Sequence, residues 1–346
     1  MNENKVHGSV KWQSPSNIAI VKYWGKRPGM KQIPQNPSVS FTLSKCSTET
    51  SVAYETSDRF GLHFRFDGKE NPEFQTKIAE FLKRHIIAFP FLEEMNLCIN
   101  SHNTFPHSSG IASSASSMSA LVMCLLDIER EVNGEIELDR KRASHLARLA
   151  SGSACRSVFP KMALWGATEA FDGSSDDYAV SLEDQIHPVF KTYHDSILIV
   201  SDAKKAVSSR AGHALMDTNP YAEARYQQAR QHTTALLDVL KDGDLETFCR
   251  ITEAEAMQLH ALMMCSDPSF ILMKPNTLRI INTLYEFRQE TDIPVCFTLD
   301  AGPNVHILYP DRDAELVERF IMDELERYCV EGKWIADRVG DGPHKC

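Results

Sequence analysis

The chain has no run of about 18 apolar residues, the length a membrane-spanning helix needs, so no membrane partner is expected. It has no C-x-x-C pair: nine cysteines, an odd number, are scattered from Cys46 to Cys346. Disulfide frameworks and zinc sites use tight, paired spacing, so both are excluded. The thiols read as small apolar fillers in a reduced, cytoplasmic protein. The thirteen histidines show no H-x-x-x-H spacing. Positive charge is in deficit, 37 Lys and Arg against 47 Asp and Glu, for a formal net charge of -10. Affinity for a phosphate backbone comes from clustered cations, so nucleic acid is not a bulk partner. A local basic pocket for a small anion stays open in an acidic protein. The opening residues Met1 to Gly8 carry no apolar h-region, which predicts no signal peptide.

At 346 residues the chain suggests about two domains. Hydrophobic residues at 42% and charged ones at 24% fit a globular protein with a real core and exclude disorder. Apolar spacing predicts helices over 73–87, from Ala115 to Leu126, and over 140–150, the last stopped at Ser151-Gly152-Ser153. Further helices are predicted over about 221–240, 245–264, 276–289 and 314–328, with Asp242-Gly243 as a turn. Short strands are expected at 39–43, 51–54, 97–99, 197–200, 294–299 and 305–309, and Asp67-Gly68 reads as a turn between two strand-like runs. Strands with helices first, then a helix-rich half with a late hairpin, place the chain in the α+β class. The boundary falls near residue 195, giving units 1–195 and 196–346.

Five segments have the residue types for anion chemistry. Ser108, Ser109, Gly110, Ala112, Ser113 and Ser114 lie between a strand and an apolar helix. Small residues let the backbone approach a phosphate, and a helix start presents unpaired N–H groups and a positive dipole end. The Ser113 and Ser114 hydroxyls suit a terminal phosphate or its Mg²⁺, although the G-K-[ST] ending of a Walker A loop is missing. The run 17–26, NIAIVKYWGK, ends an apolar strand in cations and aromatics, and alternation predicts Lys22 and Trp24 on one face and Tyr23 on the other. Ser151 and Ser153 frame a glycine before Arg156, whose fork suits carboxylate or phosphate. Asp300 opens a turn, DAGPN, after an apolar strand, where a carboxylate can act as a base. The run 204–210, KKAVSSR, holds Ser208 and Arg210. Taken singly, each also fits an ordinary cap, turn or solvated loop.

Together and in this order they resemble the GHMP kinase superfamily and, within it, the mevalonate diphosphate decarboxylases. The resemblance is carried by NIAIVKYWGK at 17–26, NPSVSFTL at 36–43, GIASSAS at 110–116, SGSACR at 151–156, the run 204–210 and LDAGPNV at 299–305. It implies a GHMP kinase fold, with an N-terminal ribosomal protein S5 domain 2-like domain and a C-terminal ferredoxin-like GHMP domain. It also implies ATP and Mg²⁺, a cytoplasmic homodimer, and conversion of mevalonate 5-diphosphate to isopentenyl diphosphate, CO₂, ADP and phosphate in isoprenoid biosynthesis. By that resemblance Asp300 faces the substrate 3-hydroxyl with Lys22 close by, and Arg156 binds the substrate carboxylate or an adjacent anion. Tyr23, Lys26, Ser153 and Arg210 hold the 5-diphosphate with Asn17, Ser151 and Ser208 near. Residues 108–114 cradle the ATP phosphates, with Ser114 on the metal.

Sister activities on the same fold decarboxylate mevalonate 5-phosphate or only phosphorylate the 3-hydroxyl. Asp300 together with Lys22 favours the decarboxylase, and the intact Asp300, Lys22 and Arg156 argue against a non-catalytic binding protein. Many family members carry a glycine pair where this chain has Phe159-Pro160-Lys161-Met162, which predicts a different local loop. Ile111 stands for a common leucine, and His107-Ser108-Ser109 for a Thr-Ala-Ala type run.

Overall fold

The computed structural model describes residues 6–106, 111–134, 137–203 and 209–346, with the side chains of Ser209 and Arg210 outside that description. The expectations at Ser108, Ser109, Gly110 and Ser208, and at the Arg210 side chain, lie outside the described residues.

The first sheet begins with β1 (His7–Val21), β2 (Ser38–Thr56), β3 (Gly61–Phe66), β4 (Lys69–Glu70) and β5 (Met95–Asn103). Buried and more open residues alternate along β5, so one face meets the core. β3 and β4 turn at Asp67-Gly68, both at positive φ, as the dipeptide predicts. α1 (Pro72–Arg84), capped by Asn71 through the Phe74 N–H, supplies the crossover that lets β5 run parallel to β3. α2 (Ser113–Asn133) packs across β1 and β2, touching them through small hydroxyls: Ser116 Oγ lies 2.6 Å from Thr48 Oγ1 and Ser119 Oγ 3.2 Å from Ser14 Oγ. α3 (Arg140–Ala150) lies beside it. β6 (Met162–Trp165) pairs with the first residues of β2, and β7 (Ala179–Ser181) with β6.

After α4 (Pro188–Lys191), β8 (His194–Leu198) starts the second sheet, and α5 (Ser209–Ala214), α6 (Ala222–Asp242), α7 (Leu245–Met264) and α8 (Pro275–Thr291) come next. The sheet is completed by β9 (Cys296–Thr298), β10 (Val305–Tyr309) and β11 (Trp334–Arg338), in the order β11–β8–β10–β9, with α9 (Ala314–Phe320) before its edge strand. β10, central in the sheet, is buried throughout. The final strand β12 (His344–Lys345) returns to the first sheet and pairs with β1. The two halves share a core: Phe41 of β2 stacks on Tyr193 at 5.8 Å, and both meet Phe248 of α7.

Three expectations need correction. The strands at 39–43 and 51–54 are one continuous strand, β2. The helix over 314–328 is α-helical to Phe320, then widens to a π turn and ends in a 3₁₀ turn. β6, β7, β11 and β12 were not expected.

Candidate active site

A cleft of about 740 Å³ opens where β1, α2, the turn after α3 and the turn after β9 converge. At its floor Lys22 Nζ lies 3.1 Å from Asp300 Oδ1. The Lys22 side chain is only 2% exposed, whereas Asp300 is 25% exposed and faces the cleft. Burial lowers the Lys22 ammonium's pKa; Asp300 and Glu255 oppose that shift, and Arg156 adds to it. β1 ends at Val21, so strand alternation does not govern the residues beyond it. Lys22, Tyr23 and Trp24 all line the cleft, which corrects the expected opposition of faces.

Arg156 sits in a 3₁₀ turn, Gly152–Val158, and is buried rather than on the surface. Its Nε donates to Ser40 Oγ at 3.0 Å, Nη1 to Ser38 Oγ at 2.6 Å and Nη2 to Asn17 Oδ1 at 3.2 Å. Asn17 is fixed in turn by donating to Ser157 Oγ at 2.7 Å and to the Ser153 carbonyl at 3.2 Å. Among the described residues no carboxylate forms an ion pair with Arg156. A buried guanidinium hydrogen-bonded only to neutral groups, with the Asp300 charge near but not paired to it, leaves positive charge for a ligand to neutralise.

Tyr23 packs edge-on against Trp165 at 4.6 Å, and its hydroxyl is buried with no partner among the described residues. Burial pushes the phenol's pKa far up, so it stays a donor. Gly25, at φ 99°, takes a left-handed conformation where a side chain would run into the Tyr226 hydroxyl. That turn brings Lys26 to the cleft beside Tyr23. The Gly25 N–H donates to His213 Nδ1 at 2.9 Å, and the imidazole packs between Tyr23 and Trp24. Burial, with Lys26 adding to it, lowers His213 to about 3, so the ring is neutral.

Opposite, Ala112 holds the residue before α2 at φ 38°. No side chain among the described residues caps this helix, and Ala112, Ser114 and Ser117 line the cleft at its start. Ser113 opens the helix but does not line the cleft. Ser151 Oγ lies 3.4 Å from Ser114 Oγ, and Ser151 and Ser153 face the same space. α1 forms the outer wall with Glu73, Lys77, Glu80 and Arg84. Lys161 takes the left-handed conformation itself, at φ 55°, where a glycine was expected by resemblance. Its N–H donates to the Gly340 carbonyl, and its carbonyl accepts the Thr42 N–H at 2.9 Å.

Sequence reasoning missed the groups behind the site. Ser38 and Ser40 lie in the 36–43 run, which assigns them no role, and His213, Arg225, His232, Glu255 and His260 belong to no motif. Lone histidines and helix carboxylates carry no local signal; only the fold shows what they hold.

The sheets and the cleft between them define the class first: this is the GHMP kinase fold, with a serine-rich helix start at the cleft and a lysine–aspartate pair at the floor. Residues 14–179 match the diphosphomevalonate decarboxylase-like N-terminal domain, and residues 196–343 the mevalonate 5-diphosphate decarboxylase C-terminal domain. The diphosphomevalonate decarboxylase mvd1 of Aspergillus fumigatus is 31% identical over 88% of this chain and 77% of its own. The Saccharomyces cerevisiae diphosphomevalonate decarboxylase is 31% identical over 86% of this chain and 76% of its own. Among solved structures, the mevalonate diphosphate decarboxylase from Staphylococcus aureus superposes over 99% of this chain and 98% of its own, with a TM-score of 0.82 and 26% identity. A complex of MDDEF with MVAPP, AMPPCP and magnesium covers 99% of both chains at a TM-score of 0.82 and 27% identity. The chain belongs to the diphosphomevalonate decarboxylase family.

Proposed function

We propose that this protein uses ATP to decarboxylate mevalonate 5-diphosphate, giving isopentenyl diphosphate, CO₂, ADP and phosphate. The observation that carries the reading is the floor of the cleft: a carboxylate open to ligand, paired with a buried ammonium, beside a buried guanidinium with no acidic partner among the described residues. Asp300 accepts the proton of the 3-hydroxyl as that oxygen attacks the terminal phosphorus and ADP departs. Phosphate then leaves C3 with its bonding electrons. The bond to the carboxylate breaks, its electrons form the C2–C3 double bond, and CO₂ is released. Lys22 and Arg156 hold the anions in place during both stages. Tyr23, with its unpartnered buried hydroxyl, and Lys26, Ser151, Ser153, Ser208 and Arg210 are assigned to the 5-diphosphate. Asn17 orients Arg156.

The start of α2, with Ala112 and Ser114 at the cleft and Ser113 outside its lining, takes the nucleotide phosphates together with Ser108, Ser109 and Gly110. Ser114 offers Mg²⁺ a hard oxygen, and no cluster of three or more acidic, His or Cys side chains among the described residues competes for the ion. Mg²⁺, when bound, neutralises charge on the nucleotide phosphates. Residues 1–195 then carry the phosphate-binding turns and residues 196–346 carry Asp300. Nine unpaired cysteines suit a reducing compartment such as the cytoplasm, and among the described residues no helix is long and apolar enough to cross a membrane.

The test is ATP-dependent CO₂ release from mevalonate 5-diphosphate and 5-phosphate, run side by side. Release from the diphosphate, at the higher kcat/KM, is expected. Preference for the monophosphate would reassign the substrate, and ADP formation without CO₂ would make the protein a kinase.

A further inference from the structure

Lys22 and Asp300 are 278 residues apart, and neither is in a strand. Lys22 comes directly after the last residue of β1, and Asp300 lies two residues beyond β9. Strand pairing therefore fixes neither backbone point directly. One helix braces both. On α7, Glu255 Oε2 accepts the Lys22 N–H at 2.8 Å. Five residues on, His260 Nε2 lies 3.1 Å from the Asp300 carbonyl oxygen. A carbonyl only accepts, so His260 Nε2 carries the proton. Between the two contacts Leu259 reaches the cleft, while Glu255 and His260 do not line it. Both are buried, at 0% and 2% exposure.

Glu255 is itself held rigidly. Its Oε1 accepts from Arg225 Nη1 at 2.8 Å and lies 2.6 Å from His232 Nδ1, and its Oε2 accepts from Arg225 Nη2 at 2.5 Å. Burial alone would raise its pKa; His232, Arg225 and the Lys22 N–H bring it below the ordinary value. The geometry points to Glu255 and His260 as positioning residues that set the Lys22–Asp300 separation by gripping the main chain of both from one helix. What that separation serves rests on the function proposed above; the bracing itself does not.

Glu255 also acts on Lys22 through its charge. The titratable groups that act on the Lys22 ammonium include Asp300, Glu255, Arg156 and Asp195, and Glu255 is hydrogen-bonded by Arg225, His232 and the Lys22 N–H. Removing the negative charge while keeping an acceptor for the Lys22 N–H should leave the geometry in place and make the ammonium more acidic.

The experiment uses the full chain with two histidine variants and one double variant. A glutamine at 260 still has an N–H to donate; a leucine of similar bulk has none. In His260→Leu, kcat is expected to fall on the order of 10–100-fold, because a small misplacement of reacting groups is that costly, with KM for both substrates little changed. His260→Gln should recover most of that loss. Equal losses in the two variants, or none in His260→Leu, would overturn the proposal, since His260 would then only fill space. Glu255→Gln is made together with Arg225→Met so that no buried cation is stranded; Glu255 acts on the Lys22 ammonium more strongly than Arg225, so the lost carboxylate sets the direction of the shift. The alkaline limb of its kcat–pH profile should move to lower pH; an unmoved limb counts against the bracing carboxylate. Independently of turnover, NMR titration of the Lys22 side chain, assigned from Lys22→Met, should show a lowered pKa in the double variant and an altered titration in His260→Leu. Should the wild type release no CO₂, the proposed function fails, and the Lys22 titration still decides for or against the brace.

Discussion

The inner and outer ends of the cleft hold their charges in opposite ways. At the inner end Lys22 and Arg156 are each 2% exposed, and their polar contacts run to Asp300, Glu255, Asn36, Ser38, Ser40 and Asn17. At the outer end, on α1, Glu73 and Lys77 are 73% and 46% exposed and pair with each other across one helical turn at 2.6 Å. Exposed pairs of that kind contribute little and rearrange freely. Buried dipoles held in advance need no reorganisation when charge develops, so the inner end is built for a reaction and the outer end for contact with whatever occupies the mouth.

The comparison breaks most decisively at Asp300. Asp300→Asn keeps the shape but removes the proposed base, and kcat should fall at least ~10²-fold with KM changed much less. Near-normal turnover in the folded variant would put the chemistry elsewhere. Next comes Arg156→Gln. A lost charged hydrogen-bond donor costs about 1.5–3 kcal/mol, so kcat/KM for the substrate should drop roughly 10–150-fold. Nucleotide binding, measured by calorimetry, should be nearly untouched. An equal loss for nucleotide would move Arg156 out of the substrate site.

His213 sharpens the contrast through pH. Its folded pKa, about 3, lies below the ordinary 6.5, so the unfolded chain takes up the proton first as pH falls. The stability tied to the neutral ring is complete above about pH 6.5 and is lost progressively toward pH 3, about 2 kcal/mol of it by pH 5. Urea unfolding at pH 7.5 and 5 should show His213→Gln losing about 2 kcal/mol less than wild type over that interval. Parallel losses in both proteins would mean that His213 is not a buried neutral ring. The smallest effect is expected on α1. Lys77→Ala should change stability by no more than about 0.5 kcal/mol and leave turnover at saturation intact. A loss at Lys77 comparable with that at Asp300 would erase the distinction between the two ends.

Local rules made parts of this molecule legible. α7 is dictated by apolar spacing over 245–264, and its boundaries match. The end of α6 at Asp242-Gly243 is dictated by turn chemistry, with Gly243 at φ 79°. The serine turns, Lys22, Arg156 and Asp300 were legible because they sit in short strings of unusual composition. What escaped depends on partners far along the chain. β2 looks interrupted in sequence because the polar residues Ser44 and Lys45 break its apolar pattern, yet Asp337 accepts the N–H groups of Ser44, Lys45 and Cys46. β11 and β12 are short, and their register comes from β8 and β1 rather than from their own residues. The face that Lys22 presents departs from strand periodicity because the strand stops one residue before it.

The shared aromatic core has a consequence for how such a sequence can change. Lys22 comes from the first half and Asp300 from the second, and the halves meet through Phe41, Tyr193 and Phe248, whose rings lie 5.2–5.9 Å apart, centre to centre. None of the three rings lines the cleft. Phe248 lies on α7, the helix that carries Glu255 and His260, so the thickness of this layer bears on where that brace stands. A bulkier side chain at one ring position therefore calls for a slimmer one at another, and a swap that leaves the melting temperature intact can still detune the floor of the cleft.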